Sequence, residues 1–81
     1  MQARPRHNGF AIRDFRIKAG LSVDELANRT LISAPHIRNI ENEHREPSPV
    51  HLHKIAEVLG VRVMSLIRDP SILTGAAEVA S

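Results

Sequence analysis

Two side chains that can make several directional hydrogen bonds, Arg38 and Asn39, stand next to each other in the middle of the chain. Arg38 has a forked guanidinium that can donate two hydrogen bonds, to the O6 and N7 atoms of guanine. The amide of Asn39 can pair with adenine or reach a phosphate. Both residues also suit an ordinary solvent-exposed helix face, so that interpretation stays open. Contact with nucleic acid is therefore a hypothesis that the rest of the chain must support.

The residue types used in catalytic and metal sites are present, but their spacing does not support such a site. His51 and His53 are two positions apart, so on a helix their side chains point about 200° apart and cannot share one ion. Ser, His and Asp all occur, but no motif marks the sharp turn that carries a nucleophile. The chain has no cysteine, which excludes disulfides, thiolate zinc sites and cysteine nucleophiles. We expect no enzyme, no metal ion and no cofactor.

Length and charge exclude some classes of protein but do not indicate one function. The 81 residues suffice for one domain and are too few for a deep cleft between two lobes. Residues 1–18 carry five basic side chains against Asp14 alone, whereas residues 19–81 carry a net charge of −2. A basic end attracts polyanions, but it is also a common solubility device. No apolar run approaches the roughly 18 residues of a membrane span, and the lack of cysteine fits a reducing compartment, so we expect a cytoplasmic protein.

Turn residues divide the chain into short pieces whose apolar residues recur every three or four positions, which is the period of a helix. Ser22 and Glu25 form a capping box, and Ser33 and Ser48 stand where a serine caps a helix that begins with proline in its first turn. Gly20 and Gly60 stand where a helix ends in a left-handed residue. The predicted helices span approximately residues 9–19, 22–30, 33–42, 49–59 and 63–68.

The connection between the second and third helices is the most informative one. Only Leu31–Ser33 separates them, which forces the two helices into an angled helix-turn-helix. Ala27 is small enough for the third helix to cross closely, and Ile37 and Ile40 face inward. We predict a compact all-α domain over residues 9–68, with a flexible basic arm over residues 1–8 and a tail over residues 69–81.

These features, in this order, resemble the DNA-binding domains of the lambda repressor and Cro type, also called XRE-like. The segment 15–27 (FRIKAGLSVDELA) is similar to the opening of that domain, 32–42 (ISAPHIRNIEN) to its recognition helix, and 45–47 (REP) with 55–61 (IAEVLGV) to its loop and fourth helix. The resemblance covers about residues 10–68. It implies a five-helix lambda-repressor-like fold that binds double-stranded operator DNA, generally as a homodimer on an inverted repeat, and mostly represses transcription. Such a protein is nucleoid-associated when it binds DNA.

The resemblance also implies roles for particular residues. Base edges in the major groove are read by positions near the N-terminal half of the recognition helix, and these positions are held by Ala34, Pro35, Arg38 and Asn39. The candidates for the DNA backbone are Val23, His36, Asn42, His44, Arg45, Arg4 and Arg6. For these polar residues, an ordinary surface position is the alternative. The family pairs the positions of Arg16 and Glu41 in a partly buried ion pair, to which we assign a structural role.

Two residues depart from the family pattern. Leu31 stands where the family usually has glycine in a left-handed conformation, which would cost leucine roughly 1–2 kcal/mol, so we expect a reshaped turn. Val23 stands where a glutamine commonly holds a phosphate and braces a base-reading neighbour. Because valine cannot do this, we expect the backbone N–H of Val23, at a helix N-terminus, to meet the phosphate instead.

The last two helices have more apolar residues at their junction than one small core needs. We expect the dimer contact there, and the alternative is that these residues simply complete the core. The candidate contact residues are Val58, Val63, Met64 and Ile67. A rival hypothesis is an antitoxin-like or adaptor module that uses the same fold to hold a protein partner, with the tail as the binding segment.

Overall fold

The computed structural model describes residues 4–74, and all the regular elements within them are helices. The elements are α1 (Gly9–Lys18), α2 (Val23–Thr30), α3 (Ala34–Glu41), α4 (Pro49–Leu59), a 3₁₀ helix (Val63–Leu66) and α5 (Ser71–Thr74). The first four helices agree with the predicted boundaries to within one residue. The predicted all-α fold is therefore confirmed.

Side-chain caps explain where these helices begin. The Asn8 side chain accepts the Ala11 backbone N–H at the start of α1. At the start of α2, Ser22 and Glu25 form the reciprocal capping box, with hydrogen bonds of 3.0 and 2.8 Å. The side chains of Ser33 and Ser48 each accept one backbone N–H at the starts of α3 and α4, and each of these helices has proline in its first turn. Because such caps satisfy N–H groups that the helix leaves without partners, the local sequence determines these starts.

The core lies between the helices and is built almost entirely from aliphatic side chains. Its members come from every helix, so that α3 is held by α1 and α2 while α4 packs against α2. The fully buried aliphatic residues are Ile12, Leu26, Ile37, Ile40, Leu52, Ile55 and Leu66. This packing leaves one side of α3 facing outward.

The turn between α2 and α3 keeps the left-handed conformation even though it contains leucine. Leu31 has φ 61° and ψ 30°, and its side chain is 86% exposed. The expected reshaping of the turn was wrong. The short connection requires a left-handed residue there, and the domain tolerates a local conformational cost of roughly 1–2 kcal/mol.

The C-terminal part of the prediction also needs correction. The predicted fifth helix at 63–68 is a 3₁₀ helix that ends at Leu66, because Ile67 is extended and forms an isolated bridge with His7. The last α-helix lies instead within the predicted tail, at Ser71–Thr74, and places Ile72 in the core. The rest of the tail, residues 75–81, lies outside the described residues.

The segment before α1 packs against the domain, whereas the sequence predicted a flexible arm over residues 1–8. The Asn8 N–H donates to the carbonyl of Leu66 over 2.8 Å, and the Arg68 N–H donates to the carbonyl of Arg6 over 2.6 Å. The His7 side chain is only 1% exposed. Residues 6–8 thus belong to the folded unit, and residues 1–3 lie outside the described part.

Candidate nucleic-acid interface

The outer side of α3 presents most of the residues that the sequence singled out for base contact. Pro35, Arg38 and Asn39 are exposed, while Ile37 and Ile40 anchor the opposite side in the core. Ala34 is half-buried and packs partly against the core. The structure therefore brings these candidates together on one helix and leaves three of them fully available to a ligand.

Arg38 has only one acidic neighbour among the described residues. Its Nη2 lies 4.0 Å from Oδ1 of Asp24 in the first turn of α2, and both side chains are largely exposed. An exposed pair at this distance contributes little, because water screens it and both side chains lose freedom when they pair. The guanidinium can therefore turn toward a ligand at small cost.

His36, in the first turn of α3, is held from behind by a second histidine. The rings of His36 and His51 meet edge to face with centroids 5.1 Å apart. Burial, then the neighbouring His36, then Lys54 lower the pKa of His51, whose Nδ1 is buried without a hydrogen-bond partner. This contact keeps His36 half-buried beside the outer side of α3.

The loop that follows α3 extends this polar surface. Asn42, His44 and Arg45 are all exposed. The carbonyl of Asn39 accepts the backbone N–H groups of His44 and Arg45 at 2.8 and 3.2 Å, which fixes the loop against the end of the helix. A cation at Arg45 is thus carried at a defined place beside α3.

The first turn of α2 supplies backbone rather than side-chain chemistry. The Val23 side chain is half-buried and packs against the core. Its backbone N–H is in the first turn of α2, where a helix leaves N–H groups without helical partners and favours anions. The geometry is consistent with the expected phosphate contact through the main chain.

The two N-terminal arginines differ in their surroundings. Arg4 is exposed, whereas Arg6 donates to both carboxylate oxygens of Glu46 at 2.7 and 2.9 Å and to Ser71 Oγ at 3.2 Å. The hydrogen bond from Arg6 is the main reason that the pKa of Glu46 is lowered. A phosphate would have to compete with Glu46 for this guanidinium.

Arg16 and Glu41 form a buried pair that joins α1 to the last turn of α3. Arg16 Nε and Nη2 donate to the two oxygens of Glu41 at 2.6 and 3.1 Å, and Nη1 donates to the carbonyl of Leu21 at 2.9 Å. A two-pronged pair of this kind fixes orientation as well as distance. It sets the position of α3 relative to α1.

Sequence reasoning missed Glu43, which anchors the turn after α3. Glu43 has φ 64° and accepts the Gly9 N–H at 2.9 Å and Arg68 Nη2 at 2.8 Å. Burial would raise the pKa of this carboxyl, but the hydrogen bonds from Arg68 and Gly9 outweigh it and hold the pKa below its usual value. A side chain at Gly9 would collide with the carbonyl oxygen of Glu41. No local signal marks this contact, because its partners are distant in sequence.

The candidate dimer residues fall into two groups. Val58, Val63 and Ile67 are half-buried and pack against the core, so they partly serve the alternative role that the sequence left open. Met64 is 53% exposed on the 3₁₀ helix. Of the four residues, Met64 is the one with most of its surface available to a partner.

Within residues 4–74, no group of three or more His, Cys, Asp or Glu side chains could hold a metal ion. In the same range, no helix is long and apolar enough to cross a membrane.

Comparison with solved structures finds this helical fold in DNA-binding and regulatory proteins. The restriction-modification controller protein C.AhdI of Aeromonas hydrophila is 27% identical, with a TM-score of 0.70 over 73% of this chain and 89% of that chain. The N-terminal DNA-binding domain of the biofilm regulator SinR of Bacillus subtilis is 30% identical, with a TM-score of 0.67 over 78% and 93%. The clp gene regulator ClgR of Corynebacterium glutamicum is 28% identical, with a TM-score of 0.67 over 88% and 69%.

Comparison with sequences gives two further results. No curated protein is similar enough in sequence to count as a match. A family model described as Helix-turn-helix (HTH_3) matches residues 12–66, which include the buried Arg16–Glu41 pair, the α2–α3 turn and the outer side of α3. The resemblance seen in the sequence is thus confirmed, and the chain belongs to the XRE-like (Cro/C1-type) helix-turn-helix family.

Proposed function

We propose that this protein is a sequence-specific transcription regulator that places α3 in the major groove of operator DNA. The observation that carries the proposal is the outer side of α3, where Pro35, Arg38 and Asn39 are exposed on a helix fixed by the core and by the Arg16–Glu41 pair. Rigid placement matters because base reading needs donors and acceptors at defined positions. This function requires no catalysis, cofactor or metal ion.

The surroundings of α3 support a phosphate-binding rim. Arg45, Asn42 and His44 lie beyond one end of the helix, and the Val23 N–H lies at the start of α2. Contacts of this kind position a protein on DNA without reading its sequence, whereas those on the outer side of α3 specify it. SinR, one of the similar proteins, has been solved in complex with DNA.

The proposed regulator binds an inverted repeat as a homodimer and represses by blocking polymerase. Two copies of α3 must then enter successive major grooves about 34 Å apart. Met64, with the neighbouring Val58, Val63 and Ile67, is the proposed dimer contact. Light scattering at micromolar concentration tests it, since a monomer both with and without DNA would contradict a preformed dimer. As an operator-binding protein, it would work in the cytoplasm, on the nucleoid.

Selection of binding sites from random double-stranded DNA, repeated at two salt concentrations, tests the main proposal. We expect a palindromic consensus and an affinity that falls steeply with salt, because several phosphate contacts release counterions. A double variant, Arg38→Ala with Asn39→Ala, serves as a matched control that should lose the consensus while keeping salt-dependent binding. Failure of the unaltered protein to enrich any sequence would contradict sequence-specific regulation.

That negative result would favour the rival function, a module that holds a protein partner. One observation favours this rival function. The similar protein SinR has also been solved in a complex with another protein, SinI. The tail suggested for such a role spans residues 69–81, of which residues 75–81 lie outside the described residues. Co-purification with and without these residues, scored against the DNA selection, separates the two functions.

A further inference from the structure

The outward side of α1 carries large apolar side chains that the domain does not cover. Phe10 is 63% exposed and Ile17 is 55% exposed, and together with Arg13 and Asp14 they line a shallow surface groove. The chain has only two phenylalanines and no tyrosine or tryptophan, so one of its two large aromatic rings stands in solvent. We call these four residues the α1 face.

The four residues form an ordered pattern around the helix. At about 100° per residue, Phe10 and Ile17 fall within roughly 20° of each other and form one apolar line. Arg13 and Asp14 flank this line by about 50°, one on each side, midway along it. The α1 face therefore has an apolar centre, a positive edge and a negative edge.

This pattern is complementary to itself in only one orientation. If two copies of α1 meet face to face in parallel, a two-fold axis along the helices brings Arg13 of each opposite Asp14 of the other, and like apolar residues meet at the centre. In the antiparallel orientation, the same symmetry places Arg13 against Arg13 and Asp14 against Asp14. Like charges at close range oppose association, so the charges select the parallel pair.

The buried side of α1 is compatible with this geometry. Gly9, Ile12 and Arg16 pack into the domain, and their mean direction lies roughly 120° around the helix from the α1 face. In a parallel pair, the two-fold axis then sends the two domains to opposite sides. We propose that the α1 face binds the α1 face of a second copy of this chain, in parallel, through Phe10, Ile17 and reciprocal Arg13–Asp14 ion pairs.

Arg13 and Asp14 are both available for ion pairs with a second copy. Arg13 makes no ion pair within residues 4–74, and Asp14 makes only an exposed one, with Lys18 at 3.0 Å. A carboxylate has two oxygens and can accept from both cations. One pair of helices makes a small interface, which belongs to weak and transient association. Such a contact acts mainly where copies are already held close together, as on adjacent sites.

Charge exchange tests the orientation directly. The R13D and D14R variants each place like charges at both ionic contacts, and we expect each to self-associate about tenfold more weakly than the unaltered protein. An equimolar mixture of the two should associate, because each contact then joins opposite charges. The double variant R13D/D14R should also recover self-association, which an antiparallel pair would not allow.

Nitrogen-15 NMR over a dilution series from about 1 mM measures so weak a contact and shows where it lies. The amide signals of Phe10, Arg13 and Ile17 should move with concentration in the unaltered protein and stay fixed in R13D. Phe10→Ser should abolish the movement without lowering the melting temperature, since the ring is mostly exposed. Arg29→Asp, the same change of charge on the exposed end of α2, is the control and should behave as the unaltered protein.

The inference does not depend on DNA binding, and the Met64 signals report the proposed dimer contact separately. If the amide signals of α1 in the unaltered protein did not move with concentration, the inference would be overturned, even if another partner covered the α1 face. It would equally be overturned if the R13D and D14R mixture stayed apart, or if R13D/D14R failed to recover association while remaining folded.

Discussion

Arg38 and Arg45 are both exposed cations, but they stand at different places relative to α3. Arg38 projects from the side of the helix proposed to face base edges, whereas Arg45 lies in the loop proposed to follow the phosphates. We expect Arg38→Ala to relax specificity at one base position by about 1–3 kcal/mol, because a bidentate contact to one base is lost. Arg45→Ala should weaken binding to all sequences alike and reduce the salt slope by about one.

Affinities for the selected operator and for single-base variants, measured at two salt concentrations, distinguish these roles. Arg62→Ala removes an exposed cation at the start of the 3₁₀ helix and is the control for lost charge. An equal loss of affinity across all sequences in both Arg38→Ala and Arg45→Ala would contradict the division of roles.

His51 links the stability of the domain to pH. Burial and the neighbouring His36 and Lys54 hold the pKa of His51 below its ordinary value of 6.5. As pH falls below about 6.5, the unfolded chain binds a proton at this residue before the folded domain does. Folding stability should therefore decrease with falling pH, and this contribution should level off once pH is below the folded-state pKa.

Chemical denaturation of the protein and of His51→Asn, between pH 8 and pH 5, measures this effect. We expect the free energy of unfolding to depend less on pH in His51→Asn, because the variant lacks the histidine that resists protonation in the folded state. His53→Asn, the same substitution at an exposed histidine of the same helix, is the control for the substitution itself. Parallel slopes in the unaltered protein and in His51→Asn would refute the assignment.

At the scale of the elements, the turn between α2 and α3 keeps a conformation that leucine does not favour. Leu31 has φ 61° and is 86% exposed, so its side chain gives little burial in return. Leu31→Gly should raise the free energy of unfolding by up to about 1 kcal/mol, since the relief of strain exceeds the entropy lost by glycine. Leu31→Ala should give no such gain, because alanine keeps a Cβ atom in the same conformation. Thermal and urea unfolding compare the three proteins, and equal gains in both variants would argue against strain.

The same scale shows which elements the sequence could predict. The starts of α2, α3 and α4 follow from serine caps and neighbouring prolines, and these signals act within four residues. The described turns after α4 could not be predicted in this way, because the extended conformation of Ile67 depends on its bridge to His7, 60 positions away in sequence. A local apolar pattern at 63–68 does not distinguish a 3₁₀ turn from a short α-helix.

In the candidate interface, too, the residues with local sequence signals could be predicted and those with distant partners could not. The polar residues on the outer side of α3 could be chosen from their place after Ser33, and the structure exposes three of the four. The roles of Arg6 and Glu43 could not, since their partners Glu46, Ser71 and Arg68 come from distant parts of the chain. The charge of Arg6 suggested the DNA backbone as its partner, and no local signal singled out Glu43.

At the scale of the whole molecule, the two ends of the described chain meet beside the C-terminal end of α3. His7 Nε2 donates to the carbonyl of Ile40 over 2.9 Å, so the buried ring is held against the last turn of α3. Arg68 Nη1 donates to the carbonyls of Pro5 and His7 at 3.2 and 2.7 Å. The N-terminal segment thus contributes to the position of α3, which a flexible arm would not do.

Arg68 connects this arrangement to Glu43, and its removal is the sharpest test of it. Arg68→Ala should lower the free energy of unfolding by about 2–4 kcal/mol, because it removes charged hydrogen bonds and leaves the largely buried Glu43 carboxylate without its cation. Hydrogen exchange should accelerate at the Asn8 amide, whose bond to the Leu66 carbonyl depends on the docked segment. Arg62→Ala, an exposed arginine nearby in sequence, should change neither quantity. If Arg68→Ala were as stable as Arg62→Ala, with Asn8 still protected, the ends of the chain would not be coupled to α3 through this residue.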